Sequence, residues 1–191
     1  MGKYTRAIIA GFVAAAVMTF AMSFVFEGLT PYLYGIGTGA FFAYIFANLA
    51  GNKKLPIADA AEKQAALALK PPAGKALLVA YREGFVAKLA GLNIAVDGTE
   101  FAQLTAPKFT VLALTPGAHT LTCGFGGLAG PQSKPRSYNF DVAADSVATV
   151  GIGVSLGMVQ GSMKFTPIAN LDAARAKLAR MPMVKADPAE L

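Results

Sequence analysis

The amino-acid sequence predicts a membrane-anchored α+β protein: an N-terminal transmembrane helical hairpin, an all-β antiparallel sandwich of about seven or eight strands, and a C-terminal amphipathic helix. The chain of 191 residues is 54% hydrophobic and only 15% charged, with a mean hydropathy of +0.48. Soluble domains average about 25% charged residues. Residues 7–26 and 28–52 are free of charge, and each run is long enough to cross a hydrocarbon layer of about 30 Å as a helix.

Changes in composition divide the chain into four segments. Residues 1–52 predict the transmembrane hairpin, with helices over about residues 4–26 and 31–49. Residues 53–72 are rich in alanine and predict a helical linker that holds the following domain away from the membrane. Residues 73–167 predict the β-sandwich, and residues 168–191 predict a helix followed by a tail.

Each predicted transmembrane helix carries a small residue at every fourth position, which gives it one smooth face. These residues are Ala7, Gly11, Ala15, Thr19 and Ser23 in the first helix, and Gly35, Gly39, Ala43, Ala47 and Gly51 in the second. Smooth faces let helix backbones approach closely in lipid, where the hydrophobic effect does not drive helices together. Two interpretations stay open: the two ridges close the hairpin, or one ridge binds a transmembrane helix of a partner.

Basic residues at the ends of the hairpin predict its orientation. Lys3 and Arg6 precede the first helix, Lys53 and Lys54 follow the second, and Glu27 is the only charged residue at the tip. The positive-inside rule therefore predicts a two-pass protein of the bacterial inner membrane with both termini in the cytoplasm. A cleaved signal peptide is the alternative for the first helix, but its apolar run exceeds the usual 7–15-residue signal core.

Residues 73–167 contain short apolar segments separated by turn residues, which is typical of an antiparallel sandwich or barrel. The candidate strands cover residues 75–82, 92–96, 100–104, 108–114, 119–123, 137–142, 147–154 and 160–165. Asp97-Gly98 predicts a two-residue hairpin turn between the second and third strands. Strands do not alternate with helices in this segment, so the sequence does not predict a nucleotide-binding α/β sheet.

Two features after the linker predict surfaces for partners. Residues 170–181 form an amphipathic pattern with Leu171, Leu178 and Met181 on one face. Three interpretations stay open: this face packs on its own domain, it lies on a membrane, or it binds a partner. The glycine-rich run over residues 124–130 predicts a hairpin loop that exposes Phe125.

The residues that could carry chemistry are few. His119, the only histidine, and Cys123, the only cysteine, share one strand face, but residues two apart on a strand lie about 6–7 Å from each other. We expect a half-buried histidine bonded to the backbone, a core cysteine, and Arg82 as a strand-end ion pair or backbone anchor. No catalytic, cofactor-binding or metal-binding residue is assigned.

Three motifs carry a family resemblance. They are Gly74-Lys75-Ala76 leading through a strand to Tyr81-Arg82, then Val96-Asp97-Gly98, then Pro116-Gly117-Ala118-His119. Over residues 73–167 the chain resembles the DUF2846 family of small bacterial β-domains, which are similar in style to PEGA-type modules. The resemblance implies a β-sandwich without an assigned active site. Family members commonly resemble exported or lipid-anchored proteins, which makes a periplasmic β-domain the alternative to the cytoplasmic one.

The charge balance limits the classes of partner. The net charge of +6 divides equally between residues 1–54 and residues 73–191. The sequence contains no stripe of lysine and arginine interleaved with aromatic residues, so it does not predict nucleic-acid binding. We expect membrane lipids and either other integral membrane proteins or further copies of this chain as partners, and no cofactor. The leading hypothesis is a non-catalytic accessory or scaffolding subunit. The alternatives are a self-associating envelope scaffold and a small-ligand-binding β-domain or enzyme.

Overall fold

The computed structural model describes residues 4–126, 134–155 and 162–187. These residues form two compact units, one before Lys53 and one from Lys53 onward. The first unit contains helices α1 (Thr5–Ser23) and α2 (Thr30–Ala50), joined by a short turn in which Gly28 has a φ of +69°. Both helices are long and apolar enough to cross a membrane, as the two uncharged runs predict.

Helices α1 and α2 pack against each other through the predicted small residues. Gly11, Gly35 and Gly39 are buried in the contact. A β-carbon on Gly39 would lie 2.7 Å from Cβ of Ala15 and 2.8 Å from the carbonyl oxygen of Gly11. The ridges therefore face each other and close the hairpin, which is the first of the two interpretations above.

The outward faces of the hairpin are covered by large apolar side chains. Phe12, Phe20 and Ile36 are 72%, 67% and 67% exposed. In each helix only 11% of the most hydrophobic window is buried, whereas a core helix of a soluble protein would be buried over most of its length.

The second unit contains all eight predicted strands, arranged in two four-stranded sheets. The strands are β1 (Ala76–Glu83), β2 (Leu92–Val96), β3 (Thr99–Leu104), β4 (Lys108–Leu114), β5 (Gly117–Phe125), β6 (Arg136–Val142), β7 (Val147–Ser155) and β8 (Ser162–Pro167). Sheet I has the order β4-β1-β7-β8 and sheet II the order β3-β2-β5-β6. Residues 160 and 161 of the predicted eighth strand lie outside the described residues.

The prediction of a purely antiparallel sandwich is wrong at one strand pair. Strands β1 and β7 run parallel, with Leu77 opposite Val147 and Glu83 opposite Gly153. A parallel pair needs a long crossover connection, and here the chain builds β4 and the whole of sheet II before it returns to β1. Turn signals between neighbouring strands do not reveal such a distant pairing.

The inner faces of both sheets share one apolar core. It includes Leu78, Ile94, Phe101, Leu121 and Ile152, each of which is fully buried. The rings of Tyr138 on β6 and Phe165 on β8 stack with centroids 5.6 Å apart, so the edge strands of the two sheets meet through aromatic contact. The predicted Asp97-Gly98 turn is present, since both residues have positive φ and Val96 pairs with Thr99.

A second apolar cluster lies on the outer face of sheet I. Leu77, Val79 and Tyr81 of β1 pack there against residues from helices α3 (Ala60–Leu67) and α4 (Leu171–Leu178). The two helices are also held to each other, because Arg175 Nε donates to the Leu67 carbonyl at 3.0 Å and Lys63 Nζ donates to the Ala179 carbonyl at 2.7 Å. Each cation thus satisfies a carbonyl group at the end of the opposite helix.

The position of α3 corrects one expectation, and that of α4 agrees with the first interpretation of the C-terminal helix, packing on its own domain. The segment expected to be a spacer contains α3, which covers sheet I and buries Leu67. Of the predicted partner contacts on the C-terminal helix, Leu178 is fully buried and Met181 is 8% exposed, while Leu171 is 38% exposed. The reason is that both faces of β1 are apolar, so the outer face needs a cover from the same chain.

We expect substitution of Gly39 to open the hairpin. With nitroxide labels on outward-facing positions 12 and 41 (Phe12→Cys, Phe41→Cys, with Cys123→Ala), Gly39→Leu should lengthen the mean distance in lipid nanodiscs by on the order of 2 Å, because ordinary helix pairs pack 8–10 Å apart. Gly37→Leu is the control, since a β-carbon on Gly37 meets nothing within 4 Å. Equal distance distributions for both variants, measured by double electron–electron resonance, would contradict the close contact.

We expect Gly151→Ala to destabilise the second unit. A β-carbon at this position on β7 would lie 2.4 Å from Oη and 2.5 Å from Cζ of Tyr81, and overpacking of this kind costs about 1–3 kcal/mol. The matched control is Gly153→Ala on the same strand, where the nearest atom would lie at 4.0 Å. Urea unfolding of the full chain in detergent, followed by tyrosine fluorescence, should give a lower midpoint for Gly151→Ala alone; coincident midpoints would refute the packing argument.

Candidate functional site

A groove of about 590 Å³ runs along one side of the hairpin. Its walls come from both helices, with Ala10, Ala14 and Val17 from α1 and Thr38 and Phe42 from α2. Ala10 and Ala14 are half-buried and lie beside the ridge that contacts α2. Because alanine side chains are short, this side of α1 allows the backbone of another helix to approach.

Not every predicted ridge residue contributes to the contact between α1 and α2. Ser23, at the end of α1, is exposed and its hydroxyl donates to the Phe20 carbonyl at 2.7 Å. Ala47 is half-buried, and Gly51 is the residue that follows α2. The tightest contacts therefore involve the middle of the ridges: Gly11, Ala15 and Thr19 on α1 and Gly35, Gly39 and Ala43 on α2.

His119 forms an ion pair with the Asp97 side chain at the end of sheet II. The distance from Nδ1 to Oδ2 of Asp97 is 2.6 Å, and Nε2 lies 2.8 Å from the Thr115 carbonyl oxygen. Both partners are acceptors, so both ring nitrogens donate and the imidazolium form is favoured. The hydrogen bond with Asp97, and then that with Thr115, raises the pKa of His119 above 6.5; the pKa of Asp97 is lowered by the hydrogen bond with His119 and that with the Thr120 N–H.

The acid that holds His119 was missing from the sequence-based interpretation. Asp97 was assigned only to its turn, yet the left-handed backbone that places it in that turn also directs its carboxylate toward β5, where Oδ1 accepts from the Thr120 N–H at 2.8 Å. A turn aspartate next to a paired strand is a signal that could have predicted this contact. The expectation of a histidine bonded to the backbone is correct.

Cys123 does not form a nucleophile with His119. Its side chain is fully buried in the sandwich core, and this burial raises the pKa of the thiol to about 12. Since the thiolate is the reactive species, the thiol is inert at neutral pH.

Arg82 is fully buried at the end of β1 and holds the loop that follows it. Its guanidinium donates to the carbonyl of Leu104 at 2.8 Å, to that of Ala87 at 2.6 Å and to that of Ala90. Desolvation lowers the pKa of Arg82 to about 10, so the group remains charged at neutral pH. In the part of the chain that the structure describes, Arg82 makes no ion pair, so of the two expectations the backbone anchor is correct.

Phe125 covers Arg82 rather than projecting from the surface. Its ring centroid lies 5.6 Å from Cζ of Arg82, and the side chain is half-buried against the sandwich core. The expected exposed contact at this position is therefore wrong, because a buried cation gains from an aromatic face. Residues 127–130 of the predicted glycine loop lie outside the described residues.

A shallow depression of about 390 Å³ lies beside His119 and is a candidate small-molecule site. It is lined by Ala118, His119, Thr120, Asn139, Phe140 and Asp141. Over residues 4–126, 134–155 and 162–187, no group of three histidine, cysteine or acidic side chains is arranged to hold a metal ion. The arrangement at His119 is suited to holding two strands together at a turn.

We expect the single histidine to titrate above pH 6.5. Its contribution to folding is fully present below the unfolded-state pKa of about 6.5 and is lost as the pH rises through the raised folded-state pKa. Asp97 contributes above its unfolded-state pKa of about 3.9 and loses its contribution as the pH falls through its lowered pKa. The imidazole proton shifts of the full chain in detergent, without a histidine tag, measure the folded-state value.

Asp97→Asn is the matched variant for this titration. Asparagine tolerates the left-handed backbone at this position and can still accept from the Thr120 N–H, so the substitution removes the charge and keeps the turn. The pKa of His119 should then fall toward 6.5. An unchanged titration curve would show that the pair with Asp97 does not hold the histidine.

No family model and no curated protein matches this chain. The resemblance to the DUF2846 family therefore stays a prediction carried by the three sequence motifs. The hairpin has an apolar exterior with a groove, and in the β-domain, the second unit, the polar side chains of His119 and Arg82 hold the fold.

Proposed function

We propose that this chain is a non-catalytic, membrane-anchored interaction module that serves as an accessory or scaffolding subunit of a larger membrane complex. The observation that carries the proposal is the division of surfaces on the hairpin. The small-residue ridges are used within the chain, whereas the outer surface keeps bulky apolar side chains and an open groove with two half-buried alanines.

The exposed side chains of the hairpin support a bilayer environment. Phe12, Phe20 and Leu33 are each more than 60% exposed, and burial of one such side chain is worth about 1.5–3 kcal/mol. A hairpin with many of them exposed to water would aggregate. Lipid, together with helices of other proteins, provides the apolar surroundings that these residues require.

Charge supports one orientation in the bacterial inner membrane. Arg6 lies in the first turn of α1, Lys53 and Lys54 follow α2, and the tip carries Glu27. The positive-inside rule then assigns both termini and the β-domain to the cytoplasm. A periplasmic β-domain is the alternative that the family resemblance implies.

The polar groups of the β-domain favour binding over catalysis. Both nitrogens of His119 are occupied, the Cys123 thiol is buried, and Arg82 is enclosed by backbone carbonyls. A general base or nucleophile needs a free atom within reach of a substrate. These three residues hold strands and loops in place instead.

The apolar lining of the groove, with its two alanines, fits a transmembrane helix as the proposed partner. Van der Waals contact drives helix association in lipid, and small residues allow it. Thr38 on the α2 side adds a hydroxyl that can donate across such an interface. A helix in this groove would contact both α1 and α2 and would leave their mutual contact intact.

We expect Ala14→Trp to release the partner. The full chain is extracted from its native membranes in a mild detergent, and the co-purifying subunits are quantified by mass spectrometry. The large indole fills the groove, so the stoichiometric membrane subunits recovered with the unaltered chain should fall by about tenfold, equivalent to 1.4 kcal/mol. Ile8→Trp, at an exposed position outside the groove, is the control and should retain them.

Three results would count against this function. Recovery of the unaltered chain by itself contradicts an accessory subunit. Recovery of a homo-oligomer that Ala14→Trp dissociates favours the self-associating scaffold, in which the groove receives a helix of a second copy. An activity that disappears with His119→Ala while the β-domain stays folded favours a ligand-binding domain or enzyme.

A further inference from the structure

We infer that the loop between β1 and β2, residues 84–91, inserts its apolar tip into the headgroup region of the bilayer that holds the hairpin. This β1–β2 loop is a second attachment of the β-domain to lipid, separate from the two helices. The inference rests on the proposed membrane-spanning hairpin, and its experiment separates the two.

The composition and exposure of the loop are unusual for a surface segment. Phe85 is 88% exposed and Leu89 is 62% exposed, although neither belongs to a transmembrane helix. Lys88 between them is exposed as well, and the loop contains no acidic residue. Aromatic and aliphatic side chains next to a lysine are the combination that enters an anionic membrane interface.

The loop is held rigidly, so its apolar residues stay exposed. Four of its carbonyls accept hydrogen bonds from outside the loop: those of Ala87 and Ala90 from the buried Arg82, that of Lys88 from the Ala106 N–H at 3.0 Å, and that of Gly91 from the Gly126 N–H at 3.1 Å. Within the loop, the Lys88 N–H donates to the Phe85 carbonyl at 3.2 Å. A loop fixed in this way cannot turn its phenylalanine inward, and it loses little conformational entropy when it binds.

The loop lies at the end of the β-domain where the chain enters from α2. The Lys53 N–H donates to Gln103 Oε1 at 2.6 Å, and Gln103 Nε2 donates to Asn93 Oδ1 at 2.5 Å. Gly126, which lies against these two amides, donates its N–H to the carbonyl of Gly91, the last residue of the loop. Lys53 follows the end of α2 by three residues, and three residues reach at most about 10 Å.

Lys53 lies within about 10 Å of the end of α2 by chain length alone, and the β1–β2 loop belongs to the same end of the β-domain as Lys53. The proposed insertion requires this end of the β-domain to face the headgroups. Lys53 is paired with Glu100 at 2.9 Å, whereas Lys54 and Lys88 are exposed and can contact anionic headgroups. The occupant of the loop's apolar surface is therefore the lipid surface itself.

The test places an environment-sensitive fluorophore on the loop of the full chain. In a Cys123→Ala background, Phe85→Cys is labelled and the protein is reconstituted in vesicles of phosphatidylcholine and phosphatidylglycerol that contain a shallow spin-labelled lipid. Ala144→Cys is the matched control: it is exposed and lies beyond the opposite end of sheet II, where Val142 pairs with Gly117. We expect a blue-shifted emission at position 85 and about threefold more quenching there than at position 144.

A second probe tests whether the native side chain drives insertion. With the label on Leu89→Cys and Phe85 left in place, quenching should again exceed that at position 144, and adding Phe85→Ser should reduce it by at least about half. Equal quenching at positions 85 and 144, or no effect of Phe85→Ser, would overturn the inference.

Alkaline carbonate extraction of the same vesicles distinguishes the two proposals. If the protein resists extraction while position 85 remains unquenched, the membrane anchor stands and the loop inference fails. If carbonate releases the protein, the proposed anchor fails and the loop inference fails with it. Resistance to extraction together with selective quenching of the loop supports both.

Discussion

Strand β1 is buried on both faces, and most of the second unit follows from this constraint. One set of alternate residues, which includes Leu78 and Arg82, faces the sandwich, and the other set, which includes Leu77 and Tyr81, faces away from it. A strand of this kind needs neighbours at both edges and a layer over each face. Strands β4 and β7 pair with the two edges of β1, sheet II covers its inner face, and α3 with α4 covers its outer face. The segments before and after the strands are therefore parts of the β-domain, although their sequences resemble a linker and a tail.

Tyr81 and Arg82, next to each other near the end of β1, make contacts on opposite faces of sheet I. The Tyr81 ring lies under Lys177 of α4, at 4.8 Å from Nζ, and occupies the space over Gly151. Arg82 points the other way and shapes the β1–β2 loop through carbonyl groups. A buried cation without a carboxylate is costly, and the carbonyls together with the Phe125 ring offset that cost by replacing water around the guanidinium. The loop conformation and the buried charge therefore depend on each other.

Local patterns are sufficient to predict each helix and strand over residues 4–126, 134–155 and 162–187, because each has a strong period or a turn at its end. The continuous apolar run from Ala76 to Tyr81 also indicates burial on both faces, but the sequence does not say what covers the second face. The parallel pairing of β1 with β7 depends on residues about 70 positions apart, beyond the range of turn signals. The same limit applies to the polar contacts. The sequence predicts Asp97 as a turn residue. It does not predict the acceptors of Arg82, because these are backbone carbonyls, which every residue has and which no sequence motif identifies.

The close contact between α1 and α2 has a consequence for how the hairpin can associate. Because Gly11, Gly35 and Gly39 are used inside the chain, the hairpin satisfies its own tightest packing before any partner binds. In the proposed function, a partner helix that leaves the outer groove exposes apolar side chains to lipid, which is an acceptable environment, and does not open a glycine interface. The proposed association through the groove can therefore be reversible without unfolding the hairpin. The β-domain, whose polar contacts are internal, would keep its structure through such exchange, and this combination suits an accessory subunit that joins an assembly as a preformed unit.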